Sequence, residues 1–216
     1  MFRTLLFDLD GTLTDPGIGI TNSVAYALDK LGFAVPPREE LYSFIGPPLR
    51  DSFMSFCGYT DEADGDRAVE IYREYFRPKG IFENKVYAGV PEMLSRLKEA
   101  NLRLYVATSK PEPFALQVLE HFALLPYFDG YVGSDMAGTL VKKADVIGEV
   151  FRRYGLSREG ALMVGDRSFD IKGGHLAGLP VLGVSYGYGS KEELEIAGAD
   201  AIAASPAEVT EYILNN

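Results

Sequence analysis

The chain has one cysteine, two histidines and no tryptophan in 216 residues. Cys57 can close no internal disulfide, so nothing in the sequence supports an oxidising compartment. His121 and His175 stand alone, and no His or Cys cluster with metal-ligand spacing occurs, which argues against a zinc or redox-metal centre. Cationic residues are also in short supply. Lys+Arg number 21 against 31 Asp+Glu, a net charge of −10. An acidic surface repels phosphate backbones and anionic headgroups, so neither nucleic acid nor a membrane is an expected partner. No apolar run approaches the roughly 20 residues needed to cross a bilayer. The N-terminus places carboxylates by its tenth residue and does not read as a signal peptide. A soluble, cytoplasmic protein, monomer or homodimer, is the expectation.

What the chain does have is concentrated in Phe7-Asp8-Leu9-Asp10-Gly11-Thr12-Leu13-Thr14-Asp15. An apolar run, Leu5-Leu6-Phe7, leads into two carboxylates two positions apart, and Gly-Thr then breaks the strand pattern. Residues i and i+2 of an extended strand share a side, so Asp8 and Asp10 leave the strand end together. Like charges that close require a cation, a shared proton or a reaction to make them tolerable. Asp15, with Pro16-Gly17 after it, reads as a turn residue.

The periodicity changes after Gly17. Ile20, Val24, Ala27, Leu28 and Leu31 recur at helical steps, with Thr21 or Asn22 as the expected cap. Further helices are expected over 38–44, over 49–56 and from the acidic 61–66 stretch to the break at Pro78-Lys79-Gly80. From Val86 onward, short strands (102–107, 130–133, 161–164, 181–184, 201–202) alternate with helices. This alternation is the signature of a parallel sheet covered on both faces. The expected fold is therefore α/β: a Rossmann-like parallel-sheet core from 1–14 and 86–216, with an all-helical domain inserted at 15–85.

Ligands of open parallel sheets bind beyond the carboxyl ends of the strands. Three such ends carry polar residues here: Asp8 with Asp10, Thr108 with Ser109, and Asp166, with Asp170 four residues further on. Lys143, at the start of a helix, is expected at the same edge; Lys142 is an alternative to it and Lys110 a weaker one. Asp8, Asp10, Asp166 and Asp170 are hard oxygen donors of the kind Mg2+ prefers. The Thr108 and Ser109 hydroxyls and a lysine suit the oxygens of an anion. This set fits phosphoryl transfer, in which one carboxylate attacks phosphorus and the other handles the proton. Phosphate monoester hydrolysis, which enzymes accelerate by up to about 10^21-fold, demands such a density of charge.

The residues Phe7-Asp8-Leu9-Asp10-Gly11-Thr12, Thr108-Ser109, Lys143 and Gly165-Asp166-x-x-x-Asp170 resemble, in order and spacing, the four motifs of the haloacid dehalogenase superfamily. The helical insert and Tyr87-Ala88-Gly89-Val90 resemble the cap, and the return from it, of the phosphoglycolate phosphatase-like branch. The resemblance implies Asp8 as nucleophile, Asp10 as general acid/base, and Mg2+ held by Asp8, the Asp10 backbone oxygen and Asp166 with Asp170 in support. It implies that Thr108, Ser109 and Lys143 bind phosphate, and that Arg50, in the loop Ile45-Gly46-Pro47-Pro48-Leu49-Arg50, is a candidate specificity residue. Two motifs depart from the usual pattern: Lys142-Lys143-Ala144-Asp145 stands where Lys-Pro-x-Pro is common, and Ser109 where many relatives carry Asn. Dehalogenases of this fold lack the second aspartate, so Asp10 favours a phosphatase. The expected substrate is a small phosphorylated metabolite, with phosphoglycolate first and a nucleoside monophosphate or a sugar phosphate in a mutase reaction as alternatives. A non-catalytic, receiver-like phosphoacceptor module would need neither Asp10 nor the helical insert.

Overall fold

The computed structural model describes the chain apart from residues 137, 138 and 141. From the N-terminus run β1 (Thr4–Phe7), β2 (Thr14–Asp15), α1 (Gly17–Leu31), α2 (Arg38–Leu41), α3 (Leu49–Cys57), α4 (Glu62–Phe76) and β3 (Lys85–Val86). Then come α5 (Val90–Glu99), β4 (Arg103–Pro111), α6 (Glu112–His121), β5 (Gly130–Ser134), α7 (Lys143–Tyr154) and β6 (Ala161–Gly165). The chain closes with α8 (Ser168–Leu176), β7 (Val181–Val184), α9 (Lys191–Ala197), β8 (Ala201–Ala203) and α10 (Pro206–Asn215). Two compact units result: Met1–Thr14 with Val86–Asn216, and Asp15–Lys85.

In the first unit, every residue of β1 is buried. A strand with no polar face must be covered on both sides, which favours the middle of a parallel sheet. The sheet has six strands in the order β5-β4-β1-β6-β7-β8, and among the described residues its neighbouring strands pair in parallel. Leu5, Leu6 and Phe7 pair with Leu104, Tyr105 and Val106 on one side and with Leu162, Met163 and Val164 on the other. On one face, Leu6, Tyr105 and Met163 join Val146, Val150 and Phe151 of α7 and Ile171 of α8 in a buried cluster. The chain builds outward from β1 to β4 and β5, then returns to the opposite side of β1 for β6. The connections from β1 to β4 and from β6 to β7 therefore run in opposite directions along the sheet, and this reversal opens a crevice at the strands' carboxyl ends.

The second unit is helical. α1 and α3 pack on α4, burying Ile20, Val24, Ala27, Leu28, Phe53, Ala68, Tyr72 and Phe76. Fully buried Phe53 stands edge-on to Phe44 at 5.0 Å and to Tyr72 at 6.4 Å. Helix α1 begins at Gly17, a turn before the expected cap at Thr21 or Asn22. The Asp15 carboxylate accepts from Gly17 N at 3.1 Å, and the Thr21 hydroxyl donates back to Gly17 O at 2.6 Å from inside the helix. Gly19, which reads as a helix breaker in isolation, is required there: a Cβ on it would lie 1.9 Å from Gly80 O. Among the described residues no helix is long and apolar enough to cross a membrane.

Phe53→Ala removes the ring shared by α3, α4 and the turn at Tyr42–Phe44. Phe-to-Ala changes at buried sites cost about 3–5 kcal/mol. Denaturant unfolding followed by circular dichroism should show a loss of that order; an unchanged midpoint would contradict the packing.

Candidate active site

Asp8 N donates to Val164 O at 2.9 Å, continuing the β1–β6 ladder one residue past Phe7 and fixing the aspartate at the crevice. The chain then turns through Gly11, whose φ of +86° lies in the left-handed region that glycine adopts without strain. A Cβ at Gly11 would sit 2.2 Å from Asp166 Oδ2, so the turn also has to be bare of side chain to let the two loops meet. Asp166 directly follows β6 and is fully buried. Its Oδ1 accepts from the Thr12 hydroxyl at 3.3 Å and its Oδ2 from Tyr188 N at 2.8 Å. Asp170, in the first turn of α8, accepts from Arg167 N at 3.0 Å in a reciprocal helix cap.

Two lysines enter the crevice. Lys143, first residue of α7, is buried; its Nζ lies 2.9 Å from Asp8 Oδ1 and 2.7 Å from Asp170 Oδ1 and donates to Ala107 O at 3.1 Å. Gly173 makes room for its stem, since a Cβ there would come within 2.6 Å of Lys143 Cβ. Lys142, the alternative, is exposed. The other lysine is Lys110, buried, with Nζ 2.7 Å from Asp10 Oδ2. The sequence reading ranks it low because it ends the strand at Ala107, whereas β4 continues through Pro111. Along that extension Thr108 and Lys110 are buried while Ser109 between them is partly exposed, the alternation of an extended strand. The Thr108 hydroxyl accepts from Lys110 N at 3.2 Å. Arg50 lies in the helical unit, where its guanidinium pairs with Asp66 at 2.7 Å and Glu62 at 3.3 Å.

The electrostatics are unbalanced. Four carboxylates (Asp8, Asp10, Asp166, Asp170) face two ammoniums (Lys110, Lys143), leaving two negative charges uncompensated when all are ionised. Burial, reinforced by the charges of Asp170 and Asp8, lifts the Asp166 carboxyl well above its ordinary range. Burial also lifts Asp170 to about 6, against the pull of Lys143, and raises Asp10 against that of Lys110. For Lys143, burial works toward the neutral amine, but Asp170 and Asp8 outweigh it and hold the ammonium. Among the described residues, three buried oxygens, Asp8 Oδ1, Asp10 Oδ1 and Asp170 Oδ1, carry no hydrogen bond, although Lys143 stands beside the first and the third as an ion pair. Carboxylate oxygens of Asp8, Asp166 and Asp170 lie within 4.8 Å of one another. An all-oxygen, crowded donor set with orphaned atoms and two surplus negative charges fits one hard divalent cation.

The chelated protein should accordingly gain stability as pH falls. The folded Asp170 carboxyl titrates near 6 and its ordinary value is 3.8, so between these limits the folded state binds more protons and stability declines as pH rises. Thermal melts in excess chelator should show the midpoint rising from pH 7 toward pH 5, and excess Mg2+ should raise it at pH 7. A chelated midpoint that falls with acidification would contradict this electrostatic picture.

Comparison with known proteins bears on what such a site does. Residues 5–184 match the family model described as haloacid dehalogenase-like hydrolase. A 5'-nucleotidase of Pseudomonas aeruginosa is 46% identical over 193 residues, covering 89% of this chain and 87% of that protein. A phosphoglycolate phosphatase of Nitrosospira multiformis is 32% identical over 218 residues, covering 98% and 95%. The crystal structure of a predicted phosphatase from Clostridium acetobutylicum has a TM-score of 0.97 and 46% identity, with 100% of both chains covered.

Proposed function

The chain belongs to the haloacid dehalogenase-like hydrolase family, and on that premise we propose that it is a phosphatase that hydrolyses small phosphomonoesters through a phosphoryl group carried transiently on Asp8. The observation that carries this reading is the pair Asp8 and Asp10 at the β1 end with different partners: Lys143 on Asp8 and Lys110 on Asp10. Asp8, beside a buried ammonium, is the nucleophile. Its carboxylate oxygen bonds to phosphorus as the ester P–O bond breaks, and the departing oxygen takes a proton from Asp10. Asp10 Oδ2 is engaged by Lys110, so Oδ1, which has no hydrogen-bond partner, is the atom that holds and delivers that proton. Water then attacks the phosphorus of the acyl phosphate, returns a proton to Asp10, and releases orthophosphate with Asp8 restored.

Thr108 and Lys143 face the transferring phosphoryl oxygens in this reading, with Ser109 contributing through its backbone. Mg2+ is the expected cation, held by the Asp8 and Asp166 carboxylates and the Asp10 backbone oxygen with Asp170 in support; bound there, it supplies charge that screens the repulsion between a carboxylate and a phosphate dianion. Arg50, whose guanidinium pairs with the exposed Glu62 and Asp66, is the candidate specificity residue in this reading.

Two substrate classes compete. Nucleoside 5'-monophosphates come first, supported by the 46% identity to a protein named 5'-nucleotidase, ahead of phosphoglycolate, supported by 32%. Phosphate release should be measured over a panel of nucleoside monophosphates, 2-phosphoglycolate and sugar phosphates, with Mg2+ and with chelator. Turnover of at least one ester is expected in Mg2+, with loss of essentially all of it in chelator and in Asp8→Asn. Full activity of the Asp8→Asn protein would overturn the mechanism. Isomerisation of a sugar phosphate with no net phosphate release would replace the phosphatase by a mutase.

A further inference from the structure

Beyond the four sequence motifs, the segment Ser185-Tyr186-Gly187-Tyr188-Gly189 after β7 closes around the acidic crevice. Its polar groups reach two different loops. The Tyr186 hydroxyl donates to Thr12 O at 3.0 Å, on the turn that carries Asp10 and Gly11. The Thr12 hydroxyl in turn donates to Asp166 Oδ1 at 3.3 Å, and Tyr188 N donates to Asp166 Oδ2 at 2.8 Å. Three hydrogen bonds thus form a ring through the loops following β1, β6 and β7, with Asp166 held at both oxygens.

The two glycines of the segment allow this closeness. A Cβ on Gly187 would lie 2.3 Å from Gly11 O and 2.4 Å from Asp166 Cβ, and one on Gly189 would lie 2.0 Å from Asp166 O. The backbone here is pressed on the two loops more tightly than any other residue allows. The Tyr186 ring is fixed independently, edge-on to Tyr87 at 5.3 Å and 70°. The hydroxyl is therefore delivered to Thr12 by a ring that has its own packing, and losing the oxygen alone leaves that packing in place.

We propose that Tyr186 is a positioning residue for the cation site: by anchoring the Thr12 carbonyl it holds the turn that aims the Thr12 hydroxyl and the neighbouring Asp10 backbone, and so sets the affinity for Mg2+. Tyr186 touches neither the reacting atoms nor, in this account, the metal. Groups that orient metal ligands in this way typically contribute about 10- to 100-fold to affinity or activity. A purely structural tyrosine would affect melting and leave metal binding alone. The inference rests on the cation site assigned under the proposed function, so the test has to address both.

Mg2+ is titrated calorimetrically into the chelator-stripped full chain of the parent, Tyr186→Phe, Thr12→Val, Thr12→Ser and Asp166→Asn. The parent should bind one Mg2+ and Asp166→Asn should lose that event. Tyr186→Phe, which keeps the ring, should bind about 10-fold more weakly, with its chelated melting temperature close to the parent's. Thr12→Val should weaken binding as well, and Thr12→Ser, which restores the hydroxyl, should recover it. Parent-like affinity in Tyr186→Phe overturns the inference while leaving the cation site standing. A parent protein with no Asp166-dependent binding overturns the site and this inference together.

Discussion

The site depends on one electrostatic constraint: among the described residues, four carboxylates converge on a crevice into which two ammonium groups project. Charges buried in this number are costly unless each has a partner. The lysines partition the problem. Lys143 bridges Asp8 and Asp170, and Lys110 takes Asp10, so among the described residues Asp166 is the carboxylate with no ammonium beside it, held instead by hydrogen-bond donors. The remaining imbalance is a standing demand for a cation, and a phosphoryl group brought beside that cation is what the arrangement suits. Catalytic sites concentrate perturbed carboxylates for this reason, since a group that is uncomfortable in the resting protein has something to gain from reacting.

Backbone shape makes the crowding possible. β1 is central because its Thr-Leu-Leu-Phe run has no face for solvent, and the reversal of strand order between β1 and β6 opens a crevice at their ends. Into that gap Gly11, Gly187 and Gly189 admit main chain at distances a side chain forbids. The acid site is thus built from close backbone approach as much as from charged side chains. The contacts that assemble it are long-range: Asp10 and Lys110 stand 100 positions apart in the chain, and Thr12 and Asp166 154.

Much of this was legible in the chain itself. The two-residue spacing of Asp8 and Asp10 after an apolar run, and Asp166 after another, announce strand ends on one edge, and the α/β alternation announces the sheet. The place of Lys110 beside Asp10 is hard to read from the sequence because β4 continues past the apolar residues that mark it, and a polar extension resembles a loop. The expected start of α1 falls late because Pro16-Gly17 reads as a turn, whereas Gly17 opens the helix and Gly19, inside it, is bare of side chain against the Gly80 carbonyl. The roles of Tyr186 and Tyr188 left no local signal, since an aromatic-glycine alternation reads as an ordinary loop until the loops it touches are in place. Substrate choice is less legible still: the chemistry at phosphorus is common to every ester, and nothing in Asp8 or Asp10 distinguishes one leaving group from another.

The central claim is that Asp8, and no other group, bonds to phosphorus during turnover. Mixing enzyme with a turned-over phosphomonoester, quenching in acid within the first turnover and mapping the protein by mass spectrometry tests it directly. The account predicts a single added phosphoryl group on the peptide carrying Asp8, labile to hydroxylamine as an acyl phosphate must be. Sustained phosphate release with no covalent adduct, or with the adduct on another residue, would contradict it.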